Sequence, residues 1–99
     1  MEIPTSLMNQ VKLRLRIDHY EYDDEIEALI LAGIGRLEQV GIHAESMLDD
    51  PLVIHAVALF AKGQFGYDNP DADRFDAAFE AFLLGMKIDP RYTEEEVIP

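Results

Sequence analysis

The chain contains no cysteine. Neither a disulfide framework nor a thiolate metal site is available to it, and the redox compartment is left open. Basic residues are scarce as well, 8 Lys and Arg against 20 Asp and Glu, for a formal charge of -12. Gripping nucleic acid along its phosphates depends on clustered Lys and Arg that displace counterions, so this balance opposes it. A negative surface suits either a path past which nucleic acid moves without sticking, because like charges repel at short range, or simple solubility, and composition does not choose between them. Long apolar runs are missing too. His55, Lys62 or glycines interrupt them before the roughly 20 residues that a membrane span needs. Glu2 and Pro4 stand where a signal peptide would have a basic and then an apolar region, so synthesis in the cytoplasm is the expectation. Ser6 and Ser46 are the only serines, and neither sits in a nucleophile elbow. His19, His43 and His55 fall on three segments without a paired metal-binding spacing, and Gly33-Ile34-Gly35 inside a helical pattern is not a phosphate loop. Carboxylate pairs such as Asp23 with Asp24 or Asp49 with Asp50 carry no catalytic signal in so acidic a chain. No enzyme, cofactor or metal is expected.

What is present is enough apolar material to fold. Ninety-nine residues, 48% hydrophobic with five Phe, fit one domain with a real core. Its centre is the stretch from Asp50 to Tyr67. Asp50 can accept from free backbone amides, and Pro51 suits the first helical position, where no donor is required. From Leu52 to Phe65 only His55, Lys62 and Gln64 are strongly polar, so apolar groups surround most of the helix and it needs neighbours on several sides.

The remaining segments are also read as helices. Leu7, Met8, Val11 and Leu15 have helical spacing behind a possible Ser6 cap, although residues 11–17 alternate as a strand would. Helix is favoured for the first part, because a single strand would have no partner; the alternating end is then a last turn running into an extended exit. Lys12, Arg14 and Arg16 are read as a solvated face pairing with nearby carboxylates rather than as a phosphate contact. An acidic turn over residues 18–24 leads to a second helix with the core stripe Ile26, Leu29, Ile30, Ile34, Leu37 and Val40, stopped by Gly41. Ala28, Ala32 and Gly35 line a second face with almost no side chain, where another helix could approach closely.

A last helix from about residue 73 to 85 carries Phe75, Phe79, Phe82, Leu83 and Met86 as a core stripe. Asn69, Asp71, Asp73 and Glu80 have the spacing of calcium-loop positions 1, 3, 5 and 12, but Arg74 occupies the position that needs glycine, and a helix start is the better reading. The expected fold is all-α: a compact bundle of about four helices over residues 1–86, with a flexible C-terminal tail over 87–99.

The string Val11-Lys12-Leu13-Arg14-Leu15-Arg16-Ile17-Asp18, the acidic turn Asp23-Asp24-Glu25, the helix over 26–38, and Asp50-Pro51-Leu52 opening an apolar helix resemble the small head-tail connector (adaptor) proteins of tailed bacteriophages. The likeness covers about residues 7–86. It departs at Phe65-Gly66-Tyr67, where the family often has an aromatic followed by a polar ending. The resemblance implies a structural virion protein at the neck, made in the bacterial host, that forms a ring of about a dozen copies under the portal protein. Such a ring extends the DNA channel toward the stopper or tail-completion protein and lets DNA pass without specific binding. By position and apolarity, Tyr92, Val97 and Ile98 are candidate portal anchors. Ala28, Ala32, Gly35, Leu59, Phe60 and Gly63 are candidate subunit contacts. The alternative is a soluble acidic helical regulator or antitoxin-like module that covers a basic partner.

Overall fold

A computed structural model describes residues 2–66 and 69–93. Helix α1 spans Thr5–Leu15, α2 Asp23–Gln39, α3 Pro51–Gln64, α4 Ala72–Lys87 and α5 Pro90–Thr93, with a 3-10 turn at Ala44–Ser46 before α3. The described residues contain no strand, so the alternating segment resolves as helix up to Leu15. Ser6 lies inside α1 rather than capping it, and Pro4 holds the cap position without a side-chain bond. Arg16 then turns the chain in the left-handed region (φ 60°), where its amide donates to Leu13 O and that of Ile17 to Lys12 O at 3.0 Å. These bonds satisfy two carbonyls that the helix end leaves free. Gly41 (φ 95°) ends α2 in the same way, with Ile42 N donating to Leu37 O at 3.0 Å.

Helix α3 is the axis of the bundle and packs against α1, α2 and α4. Asp50 caps it through Oδ1, which accepts from Leu52 N at 2.9 Å and Val53 N at 3.3 Å. Val53, Ala56, Val57, Ala58 and Ala61 are buried along its length. Around them stand Leu7 and Val11 of α1, Ile26, Ile30, Ile34 and Leu37 of α2, and Phe79, Leu83 and Met86 of α4, all buried. Each large aliphatic side chain so buried contributes about 1.5–3 kcal/mol. Small residues on α3 and α2 let the axes close in. Gly33 faces the Phe60 ring, and at Gly63 an added methyl would overlap the Asp76 carboxylate.

The boundary expected at residue 86 falls inside α4. After it, α5 folds back on the bundle, where Tyr92 is only 2% exposed and its carbonyl accepts from His43 N at 2.8 Å. A short segment without a helical period thus adds a core residue. One tyrosine, anchored through its hydroxyl and its backbone carbonyl, supplies what amphipathic spacing would otherwise signal.

Candidate functional site

Among the described residues no three His, Asp or Glu side chains gather closely enough to hold a metal ion. The calcium-like spacing is spent on local structure. Asn69 Nδ2 donates to Lys62 O at 2.7 Å while its Oδ1 accepts from Asp71 N at 3.0 Å, which ties the end of α3 to the start of α4. Asp71 faces Arg74 at 3.5 Å, and Glu80, inside α4, faces Arg36 of α2 at 3.4 Å. His19 lies against Tyr22, with ring centroids 5.4 Å apart. His55 lies edge-on to Phe82 at 4.9 Å and accepts at Nδ1 from Arg14 Nη1 at 3.1 Å. Partial burial, followed by the charges of Arg14 and Lys62, pushes the His55 imidazole below its ordinary 6.5.

Small and apolar side chains are exposed on two helices. Ala28, Ala32 and Gly35 are exposed on α2, and nothing lies within 4 Å of where a Gly35 Cβ would stand. Leu31 beside them is 37% exposed. The other three residues expected at a subunit contact are engaged differently. Phe60 is half-buried between Gly33 and Phe79, its ring 5.3 Å from that of Phe79; Gly63 is buried against Asp76; Leu59 is half-buried against the core. Gly33 and Gly63 thus serve close approach inside the bundle, whereas Gly35, on the face expected to admit another helix, is open.

Sequence reasoning passed over a second face. Ala77, Ala81 and Leu84 on α4 and Ile88 at its C-cap follow one another at i, i+4, i+7 and i+11, and all are exposed, Leu84 by 63% and Ile88 by 83%. Their spacing is as regular as that of the phenylalanine stripe and was legible in the sequence.

A cleft of about 420 Å³ opens between the ends of α1 and α3 and the start of α4, lined by Arg14, Arg16, Lys62, Leu15, Phe65 and Phe75 among others. Lys62 Nζ stands 5.2 Å from the Phe75 ring centroid. Of the three basic residues read together on α1, only Lys12 pairs as expected, with Asp23 at 2.7 Å. Arg14 and Arg16 have no carboxylate partner among the described residues, because their position at the end of α1 turns them toward Lys62 and away from the acidic turn.

Tyr92 is occupied within its own chain, its hydroxyl donating to Asp50 Oδ1 at 3.0 Å. A portal anchor at this position would have to leave that bond and its burial. Val97 and Ile98 lie outside the described residues. No described helix is long and apolar enough to cross a membrane.

No curated protein and no solved structure matches the chain. The model of the phage connector protein family matches residues 7–93, from the first core residue of α1 to the end of α5. With that match running through all five helices, the chain belongs to the phage connector protein family.

Proposed function

We propose that this connector works at the virion neck as a ring of copies beneath the portal, extending the DNA channel toward the stopper or tail. The family match carries the reading. Two physical features support it. A closed ring is built from head-to-tail contacts, which require two different patches on each copy. The small-residue face of α2 at Ala28, Ala32 and Gly35 and the apolar face of α4 at Leu84 and Ile88 are two such patches, one flat and one projecting. The formal charge of -12 suits a wall past which DNA moves, since it opposes phosphate adhesion.

The role is structural and needs no bound cofactor. Its test is to mix the purified protein with the cognate portal and image the product by electron microscopy. A closed ring stacked on the portal is expected. A protein that ignores the portal and instead forms a tight one-to-one complex with a basic partner would be a regulator, and the connector role would fall.

A further inference from the structure

Four of the eight basic side chains have a carboxylate partner: Lys12 with Asp23, Arg36 with Glu80, Arg74 with Asp71 and Arg91 with Asp89. Among the described residues the other four have none, and three of those, Arg14, Arg16 and Lys62, converge on the cleft between α1, α3 and α4. In so acidic a chain, three cations together with no carboxylate partner among the described residues are the opposite of what self-neutralisation would produce. Cations near helix C-termini do gain from the backbone dipole, which accounts for each of them singly. It does not account for their meeting in one cleft walled by Leu15, Phe65 and Phe75. Asp71, the carboxylate on that wall, already faces Arg74. The guanidinium of Arg14 is held in place by His55 Nδ1, and the downward push of Arg14 and Lys62 on His55 registers the local positive field.

We infer that this cleft receives the acidic run Glu94-Glu95-Glu96 of a neighbouring copy of the chain. The inference rests on the ring reading for the presence of that neighbour. Three carboxylates followed by Val97 and Ile98 match three cations and an apolar wall in both charge and character. The run lies outside the described residues, but its chain distance from Thr93 limits where it can go. Tyr92 is bonded to the cap of α3 and Lys62 lies in the last turn, about 18 Å along the helix at 1.5 Å per residue. Three extended residues beyond Thr93 add about 10 Å. A copy's own backbone run ends short of the Lys62 side of the cleft, so a run supplied by an adjacent copy is the one that brings all three carboxylates to all three cations. DNA is the poorer occupant. Three cations release few counterions, and the rest of the surface repels a polyanion while tolerating a short segment. Copies that each carry -12 also need some place where the sign is locally inverted if they are to lie side by side.

The test is fluorescence anisotropy with a labelled synthetic peptide of residues 93–99 added to the full-length protein at low salt. Saturable binding is expected below about 1 mM. It should weaken about tenfold or more when the three peptide Glu become Gln, when salt is raised, or in an Arg14→Glu, Lys62→Glu protein. Arg16→Gly serves as a second variant that suits the left-handed backbone there and so keeps the fold; it too should bind less tightly. A peptide with Lys at the three Glu positions should bind the charge-reversed protein and not the original. No saturable binding, binding indifferent to these changes, or a DNA duplex taking the cleft in place of the peptide would overturn the inference. Rings that form on the portal unaltered by Glu94, Glu95 and Glu96→Gln would also overturn it and leave the ring reading standing. Peptide binding that follows the charges without any ring on the portal would uphold the carboxylate site and remove the ring reading instead.

Discussion

The hydroxyl of Tyr92 donates to the same Asp50 oxygen that caps α3, at 3.0 Å beside the 2.9 Å bond from Leu52 N. Forty-two residues of chain are closed by that bond, which fastens α5 to the first turn of the central helix. Tyr92→Phe should lower stability by about 1 kcal/mol, the net worth of one hydrogen bond. Tyr92→Ala should cost about 3–5 kcal/mol, since a ring 2% exposed leaves a cavity. Urea unfolding of the two variants and of Asp50→Ala, alone and combined with Tyr92→Phe, gives the coupling; a cycle that sums without a remainder would mean that the bond contributes nothing.

Burial first, and then the bond to Asp50, raises the Tyr92 hydroxyl above its ordinary 10.0. The neutral phenol is the form the fold accepts, so its contribution is complete below pH 10.0 and is lost as pH rises from there through the raised value. Melting temperatures taken across that alkaline range should fall less steeply in Tyr92→Phe than in the parent protein.

His55 works in the other direction. Its imidazole is held below 6.5 by partial burial and by Arg14 and Lys62, so the unfolded chain binds the proton more readily. Stability from this group is complete above pH 6.5 and declines as pH falls from 6.5 through the depressed value. Protonation at Nδ1 would also remove the acceptor for Arg14. His55→Gln should show a shallower loss of melting temperature than the parent between about pH 7 and about pH 5.

Three glycines should respond differently to alanine. Gly35→Ala meets open space and should stabilise the fold by about 1 kcal/mol through helix propensity. Gly33→Ala places a methyl 3.2 Å from Phe60 Cδ1, so the ring must give way and the propensity gain is offset. Gly63→Ala overlaps the Asp76 carboxylate, which also accepts from Gln64 Nε2 at 3.3 Å, and should cost about 1–3 kcal/mol. The rank order from denaturant melts is the check.

Assembly should separate from folding on α4. Leu84 is 63% exposed, so Leu84→Asp should change the stability of one copy by about 0.5 kcal/mol or less. On the portal the same change should abolish ring formation, as seen by electron microscopy. Leu59→Asp strikes a half-buried residue packed against the core and should unfold the chain before it tests any interface.

The sequence by itself determined the four long helices and their inward faces, because those signals are local. Asp50 and Pro51 mark the start of α3 within three residues, and the stripes Ile26 to Leu37 and Phe79 to Met86 repeat at the helical period. The charge of the surface and the family likeness were legible for the same reason. Tertiary structure decided which small residues are internal and which stay outside: Gly33 and Gly35 read alike in the sequence, and only the position of Phe60 separates them. It also decided the fate of Tyr92, whose partner lies 42 residues away, and the contact of Arg14 on α1 with His55 on α3. No period encodes such pairs. They arise where the axes of packed helices bring distant residues together, and charge or hydrogen bonding then fixes which of them touch.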